Sequence, residues 1–240
     1  MLTSRLIGHR GVASLAPENT LAGIRLAAEM GVKWVEVDVT LLGDDTPILI
    51  HDADLARCSN AEGLVIDLSR RDLKNIDAGS WFSKEYAGEP LPLLSDALTL
   101  INHLGLGLNL EIKTHSIDPD KIAHIVQSCL RSNPFPADKL LISSFEHETL
   151  QAWYQTEKKT ALGYLVEALP DDWQQRLDMI RARSLNFDWQ QVSAREFMMV
   201  KESGFELYSY TCNDPEQGEL LWQQGVDGVI TDYPQRFPIS

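Results

Sequence analysis

Basic residues are scarce in this sequence. Lysine and arginine together number 21, against 35 aspartate and glutamate residues, so the formal net charge is −14. A surface with this excess of negative charge repels nucleic-acid phosphates and anionic lipid head groups. We therefore expect no nucleic-acid partner and no stable membrane association. Any site for an anionic substrate must supply its own local positive charge.

Cysteine is also rare, and long apolar runs are missing. Cys58, Cys129 and Cys212 are odd in number and far apart, which indicates free thiols in a reducing compartment. No apolar run approaches the ~20 residues that a membrane-spanning helix needs. Residues 1–7, which precede the first motif, are too few for a signal peptide. The sequence therefore predicts a cytoplasmic protein.

The sequence does contain an alternation of short apolar strands and helix-like segments. Such alternation predicts parallel strands joined by crossover helices, and the length of 240 residues suits one (β/α)8 TIM barrel of the α/β class. Eight predicted strands favour this closed barrel over an open sheet, and residues 1–240 would form it as a single domain. The predicted strands are 5–8, 34–40, 107–112, 140–143, 161–166, 184–187, 206–209 and 228–231. The predicted helices are 20–30, 95–104, 119–132, 146–156, 171–181, 194–203 and 215–224.

One segment interrupts the alternation. Residues 52–92, after the second predicted strand, contain no clean strand–helix unit, and they carry Trp81, Phe82 and Tyr86. Irregular insertions of this length are usually lids or small subdomains with a function. The alternative is a loosely packed decoration of the barrel.

Two neighbouring predicted strands carry acidic residues on one face. Side chains alternate along a strand, so Glu36 and Asp38 share a face, and Glu111 lies on the equivalent face of the next barrel strand. These carboxylates would point inward near the C-terminal ends of the strands, where barrel active sites lie. Because buried carboxylates repel each other, either a divalent cation or basic neighbours must compensate them. Oxygen ligands alone suit Mg²⁺ or Ca²⁺, with Mn²⁺ as a further option.

Histidine and basic residues stand beside these acids. His9 and His51 each follow a strand, and a histidine can give or take a proton near neutral pH. A single histidine is more often structural, so the prediction depends on the two positions together. Arg10 suits bidentate contact with a phosphate, or else a salt bridge to one of the acids. Lys113 shares the face of Glu111, as an ion-pair partner or as a phosphate contact.

Several short motifs follow one another along nearly the whole chain. They are Gly-His-Arg-Gly at 8–11, Ala-Pro-Glu-Asn-Thr at 16–20, Glu-Val-Asp-Val at 36–39, His-Asp at 51–52, Leu-Pro-Leu-Leu at 91–94, Asn-Leu-Glu-Ile-Lys at 109–113, Ser-Phe at 144–145, Thr-Cys-Asn at 211–213 and Gly-Val-Asp-Gly-Val-Ile-Thr-Asp-Tyr-Pro at 225–234. This ordered set resembles the glycerophosphodiester phosphodiesterase family, and the short chain is similar to its cytosolic bacterial type. The resemblance implies metal-dependent hydrolysis of glycerophosphodiesters to sn-glycerol 3-phosphate and an alcohol such as choline, ethanolamine or glycerol.

The resemblance also implies roles for single residues. The family's metal ligands match Glu36, Asp38 and Glu111, its acid–base pair matches His9 and His51, and its phosphate contacts match Arg10 and Lys113. Residues 52–92 match a small insertion over the barrel mouth. The nucleophile is left open between water and the substrate's own glycerol hydroxyl, as is the division of the acid and base steps between the histidines.

The glycerol end of the substrate needs further contacts. We expect Phe145 and Tyr210 to form an apolar wall beside it, with Trp81, Phe82 and Tyr86 of the insertion contributing. The alternative is that the insertion's aromatics form its own small core. Two other functions stay open: a lysophospholipase D or cyclising phospholipase on a related barrel, and a catalytically silent barrel that binds a phosphorylated ligand.

Overall fold

Eight parallel strands close into a barrel in the computed structural model, which describes residues 4–238. The first strand pairs with both the second and the last, so the sheet has no free edge between them. This closure confirms the predicted (β/α)8 barrel; residues 1–3 and 239–240 of the predicted domain lie outside the described part. The strands are β1 Leu6–Gly8, β2 Trp34–Leu41, β3 Pro47–Leu49, β4 Gly107–Ile112, β5 Leu140–Ser144, β6 Ala161–Val166, β7 Ser184–Asp188, β8 Glu206–Tyr210 and β9 Gly228–Thr231.

The strand β3 lies outside the barrel proper. It runs antiparallel to the end of β2, with Val39 opposite Leu49 and Leu41 opposite Pro47. The turn that joins the two strands places Asp45 at a φ of 66°, a left-handed conformation that aspartate tolerates better than most residues. This hairpin extends β2 beyond the barrel rim and leads the chain into the insertion.

Seven helices surround the strands in the described part. They are α1 Leu21–Glu29, α2 Leu94–His103, α3 Pro119–Ser132, α4 His147–Thr156, α5 Trp173–Met179, α6 Ala194–Glu202 and α7 Pro215–Gln223. Helices α3 and α7 begin at aspartate caps: Asp118 accepts a hydrogen bond from the backbone N–H of Lys121, and Asp214 accepts one from that of Glu216. Among residues 4–238, no helix combines the length and the apolar character that crossing a membrane requires.

The main core lies between the strands and the helices. Val35, Val37 and Val39 of β2 are fully buried in it, as the alternation of that strand predicts. Because these valines face outward to the helices, the intervening residues of β2 face the barrel axis. The apolar and acidic rows of one strand therefore lie on opposite sides of the barrel wall.

The segment between β3 and α2 contains a core of its own. It has three short 3-10 turns, Val65–Asp67, Leu73–Asn75 and Lys84–Tyr86, and a separate cluster of buried residues that includes Leu55, Val65 and Ile76. Asp77 fixes one of its loops by accepting hydrogen bonds from the backbone N–H groups of Gly79, Ser80 and Gly88. The segment is thus internally packed and hydrogen-bonded.

The cysteines give a direct test of packing in this segment. Cys58 is buried and unpaired, and burial, helped by the negative charge of Glu18, raises the pKa of its thiol to about 12. A raised pKa keeps the thiol protonated at pH 8, and only the thiolate reacts with alkylating agents. We expect iodoacetamide to label Cys58 at least ~10-fold more slowly in the native protein than in urea, as measured by mass spectrometry. Equal rates in the two conditions would show that the segment is open.

Candidate active site

Three carboxylates meet inside the barrel. Glu36 and Asp38 lie on β2, and Glu111 lies on β4, where the parallel register pairs it with Asp38. Their exposed fractions are 2%, 1% and 8%. One oxygen from each residue lies within 4.8 Å of the oxygens from the other two. The structure therefore brings together the three acids that the strand pattern singles out.

The oxygens of this cluster have few positive partners on the cavity side. Glu36 Oε1 is buried and accepts no hydrogen bond from any described residue. Asp38 Oδ1 is 3.5 Å from Lys113 Nζ, which also contacts Glu111 Oε1. One ammonium group thus serves two carboxylates and leaves the third without a partner on this side. A cluster of oxygen ligands with too little positive charge fits a hard divalent cation such as Mg²⁺ or Ca²⁺.

The pKa values of the three carboxyl groups also fit a site for a cation. Burial, followed by the charge of Asp38, raises the pKa of Glu36 well above its usual range and that of Glu111 to about 7. Burial would also raise the pKa of Asp38, but the positive charges of Arg10 and Lys113 outweigh it and lower the pKa. Without a further cation, Glu36 and Glu111 are therefore held less favourably in their charged forms.

The loop after β1 supplies groups that orient the acids. The Arg10 backbone N–H donates to Glu36 Oε2 at 3.0 Å, and Arg10 Nε lies 3.2 Å from Asp38 Oδ2. Asn19 donates to the same Asp38 oxygen at 2.8 Å and accepts from the Asp38 backbone N–H at 3.0 Å. One oxygen of Glu36 and one oxygen of Asp38 are thereby fixed by this loop.

This loop is tight enough to require its glycines. Arg10 has a φ of 51° and Gly11 a φ of 89°, and a Cβ atom at Gly8 would lie 2.2 Å from the carbonyl oxygen of Gly11. Glycine avoids this clash because it has no Cβ. The Gly-His-Arg-Gly motif therefore turns the chain sharply, and His9 and Arg10 both lie above the acids.

Each of the two histidines is held by a carboxylate. His9 Nδ1 is 2.6 Å from Asp232 Oδ1, and His51 Nδ1 is 2.6 Å from Asp52 Oδ1. An ionised carboxylate can only accept a hydrogen bond, so Nδ1 carries a proton in both rings and Nε2 remains available. His9 Nε2 lies 3.8 Å from Glu36 Oε2. Burial lowers the pKa of His51 despite the opposing charge of Asp38, which favours a neutral imidazole.

The partner of His9 is itself fixed by the loop after β8. Asn213 Nδ2 donates to Asp232 Oδ2 at 2.8 Å. Asn213 Oδ1 accepts from the Asp232 backbone N–H at 2.9 Å and from Thr231 Oγ1 at 3.0 Å. Roles for Asp232, Asn213 and Asp52 were not predicted from the sequence. For Asp52, its place next to His51 was a usable signal, whereas Asp232 meets His9 only through the closure of the barrel.

A single cavity of about 210 Å³ unites the site. Eight of the nine predicted site residues line it, and Asp38 lies behind them. Phe145 and Tyr210 meet edge to face with ring centroids 5.8 Å apart, and Lys113 Nζ lies 5.3 Å from the Phe145 centroid. The lining residues are His9, Arg10, Glu36, His51, Asn109, Glu111, Lys113, Phe145, Leu165, Tyr210, Thr211 and Ile230.

The insertion's aromatics are arranged differently. Phe82 contacts Trp81 and Tyr86 edge to face, each at a centroid distance of 5.7 Å, and none of the three belongs to the described lining of the cavity. They pack against one another away from the cavity, and Tyr86 Oη donates to the Leu15 carbonyl at 3.1 Å. Only the barrel's own pair, Phe145 and Tyr210, reaches the cavity.

Known proteins are similar to this chain in sequence and in fold. The chain matches the glycerophosphoryl diester phosphodiesterase family over residues 9–236. It is 32% identical to a glycerophosphodiester phosphodiesterase of Caldanaerobacter subterraneus subsp. tengcongensis, over 96% of this chain and 94% of the relative. A glycerophosphodiester phosphodiesterase of Bacillus subtilis is 28% identical, over 96% of this chain and 84% of the relative.

The solved structures agree. An Oleispira antarctica phosphodiesterase in complex with the product sn-glycerol 3-phosphate superimposes with a TM-score of 0.92 and 36% identity, covering 97% of this chain and 94% of that one. A Thermotoga maritima glycerophosphodiester phosphodiesterase gives a TM-score of 0.74 at 26% identity, covering 97% and 96%. With the family matched over most of its length, the chain belongs to the glycerophosphoryl diester phosphodiesterase family.

Proposed function

We propose that this protein hydrolyses glycerophosphodiesters to sn-glycerol 3-phosphate and an alcohol, with a divalent cation bound in the barrel. The observation that carries the proposal is the convergence of three carboxylates, two histidines and two basic side chains, seven of the site residues, around one small cavity. The product-bound relative from Oleispira antarctica, similar over nearly its whole length, supports the same substrate class.

Glu36, Asp38 and Glu111 are the residues that would hold the cation. Mg²⁺ or Ca²⁺, and as a further option Mn²⁺, suits their oxygen ligands. When bound there, the cation supplies positive charge that neutralises the phosphodiester and stabilises the negative charge that grows on it. Arg10 and Lys113 add positive charge on the protein's side, and each stays oriented by the carboxylates that it contacts.

The histidines would carry the two proton transfers. One Nε2 takes a proton from the nucleophile, and the other gives a proton to the departing alkoxide. Asp232 and Asp52 hold the rings so that Nε2 of each is available. The nucleophile is water or the substrate's own glycerol hydroxyl, and the pH profiles of the His9 and His51 variants distinguish the acid from the base.

A coupled assay for glycerol 3-phosphate tests the proposal. Purified protein is given glycerophosphocholine, glycerophosphoethanolamine and glycerophosphoglycerol, with and without chelator. We expect chelator-sensitive release of glycerol 3-phosphate from all three. Release of choline from lysophosphatidylcholine, assayed in parallel, with no turnover of these three substrates would instead indicate a lysophospholipase D. Binding of glycerol 3-phosphate with no turnover of any substrate would indicate a catalytically silent barrel.

Phe145 and Tyr210 are proposed to contact the glycerol that all substrates share. Phe145→Ala or Tyr210→Ala should raise KM about tenfold, which corresponds to the loss of roughly one aromatic contact. The ratio of kcat/KM for glycerophosphocholine to that for glycerophosphoethanolamine should not change. Trp81→Ala, outside the cavity, is the matched control and should leave KM unaltered. A changed ratio would mean that the pair faces the alcohol, and an unchanged KM would give it a purely structural role.

Location, partners and the insertion complete the proposal. Unpaired cysteines in the described part of the chain support a reducing, cytoplasmic location, and the charge of −14 supports the absence of a nucleic-acid partner. We infer that residues 52–92 are an insertion of the single barrel domain near its mouth, supported by the ion pair that Arg57 makes to Glu18 in the loop after β1.

A further inference from the structure

Arg57, in the insertion, makes two bidentate ion pairs at once. Its guanidinium contacts Glu18 through Nη1 to Oε2 at 2.7 Å and Nη2 to Oε1 at 2.9 Å. It contacts Asp52 through Nε to Oδ2 at 2.6 Å and Nη2 to Oδ1 at 3.1 Å. Four of the five N–H groups of the side chain are therefore engaged by two carboxylates.

Each of these carboxylates also holds a residue of the active site. Asp52 Oδ1 is the atom that binds His51 Nδ1 at 2.6 Å. Glu18 Oε1 accepts a hydrogen bond from Arg10 Nη1 at 2.6 Å. Arg57 therefore contacts His51 indirectly through Asp52, and Arg10 indirectly through Glu18. These contacts form a continuous chain of alternating charge from Asp52 through Arg57 and Glu18 to Arg10.

We propose that Arg57 is a positioning residue that fixes His51 and Arg10 relative to each other. This role rests on the proposed phosphodiesterase function. The reaction needs His51 at one bond of the phosphodiester and Arg10 at the phosphate itself, and the two residues come from separate loops. A single planar guanidinium that is bidentate to Asp52 and Glu18 couples those loops through rigid geometry.

The pKa shifts of Asp52 and Glu18 also support a positioning role for Arg57. The Arg57 hydrogen bonds hold the pKa of Asp52 well below its usual range. Burial would raise the pKa of Glu18, but hydrogen bonds from Arg57 and the charge of Arg10 outweigh it and lower the pKa. Without Arg57, two carboxylates face each other with no cation between them. Asp52 is then free to turn away from His51, and Glu18 loses one of the two arginines that fix it.

Lysine cannot replace this side chain. Its ammonium group is a point charge and cannot pair with two carboxylates in a bidentate manner. Arg57→Lys should therefore behave like Arg57→Ala, whereas free guanidinium at millimolar concentration should partly restore Arg57→Ala. Methylammonium at the same concentration should not. Rescue by guanidinium would show that Arg57→Ala is folded and has lost only the contacts of the side chain, because a small ion cannot restore a misfolded chain.

Steady-state kinetics distinguish the effect of Arg57 on His51, through Asp52, from its effect on Arg10, through Glu18. Arg57→Ala should lower kcat/KM roughly 10- to 100-fold, as is typical for partners of the groups at a reaction centre. In an Asp52→Asn background, the added effect of Arg57→Ala on kcat should shrink, and in a Glu18→Gln background its added effect on KM should shrink. Arg71→Ala is the matched control, because Arg71 is exposed in the same insertion and makes no ion pair among the described residues.

A spectroscopic measurement tests the position of His51 without relying on turnover. In ¹⁵N-histidine-labelled protein, Arg57→Ala should convert His51 from one fixed tautomer to an exchanging mixture. His9 is the internal control, because Asp232 holds it in the same way with no contact to Arg57. An unchanged His51 signal would overturn the proposal, whether or not the wild type has phosphodiesterase activity. Absence of turnover in the wild type would overturn the proposed function instead.

Discussion

Removing divalent cations should abolish turnover of glycerophosphodiesters, and Mg²⁺, Ca²⁺ or Mn²⁺ in excess should restore it. The reason is the arrangement of Glu36, Asp38 and Glu111, whose clustered oxygens have only Lys113 as a shared ammonium partner on the cavity side. Arg10 and Lys113 alone leave the buried acids and an incoming phosphodiester with an excess of negative charge. Full turnover in the presence of chelator would show that the acids serve only as structural ion pairs.

Substitution of single ligands sharpens this expectation. Glu36→Gln, Asp38→Asn and Glu111→Gln should each weaken the binding of the metal alone, measured by calorimetry, and should reduce turnover by orders of magnitude. Glu148→Gln, exposed on α4, is the matched control for removal of an acid and should change neither. A ligand variant that binds metal as the wild type does would remove that residue from the site.

The metal-free protein offers a check on folding. The pKa of Glu36 lies well above its usual range, so its charged form is disfavoured in the folded state and costs stability near neutral pH. A group with a raised folded pKa contributes stability that is fully present below its unfolded pKa and is lost as the pH rises through its folded pKa. Glu36→Gln should therefore melt no lower than the wild type in chelator at pH 7, although it is inactive. A large drop in the melting temperature would assign its inactivity to misfolding.

Replacement of either histidine should be the second large effect. His9→Ala and His51→Ala should each lower kcat by ~10²- to 10⁴-fold, the usual contribution of a general acid or base, with modest effects on KM. Since both protons move in one reaction sequence, the double variant should be little worse than the poorer single variant. Losses that multiply would mean that the histidines act independently.

Two further variants complete this test. Asp52→Asn and Asp232→Asn keep the size of the carboxylate but not its charge, and each should lower kcat through its own histidine. His124→Ala, exposed on α3, is the matched control and should have full activity. The pH profile of kcat/KM identifies the base, because a variant that lacks the base loses the limb that falls toward low pH. The limb that falls toward high pH belongs to the acid in the same way.

The strands and their inward acids follow from the sequence because strand structure is periodic. Side chains that alternate along residues 34–41 and 107–112 give Glu36, Asp38 and Glu111 one face, and parallel pairing in the barrel then brings that face together. Helix ends are set by packing as well as by caps. Ser95 is a plausible cap residue, yet α2 already begins at Leu94, which is fully buried in the core.

The groups that hold the histidines could not be predicted in the same way. Asp232 and His9 are 223 positions apart in the sequence, so their contact depends on the closure of the sheet rather than on any local pattern. Arg57 lies in a segment without strand or helix periodicity, where spacing gives no direction to a side chain. Contacts of this kind depend on the tertiary fold and become visible only with coordinates.

The pairing of β1 with β9 makes the position of His9 depend on the last strand of the barrel. The His9 backbone N–H donates to the Thr231 carbonyl at 2.9 Å, next to the side-chain contact between His9 and Asp232. During synthesis, every strand but the last can be present while His9 still lacks its contacts with Thr231 and Asp232. Joining segments so distant along the chain is entropically costly and slow. Catalysis should therefore appear late in refolding, after most of the secondary structure, and its onset reports when the ring of strands has closed.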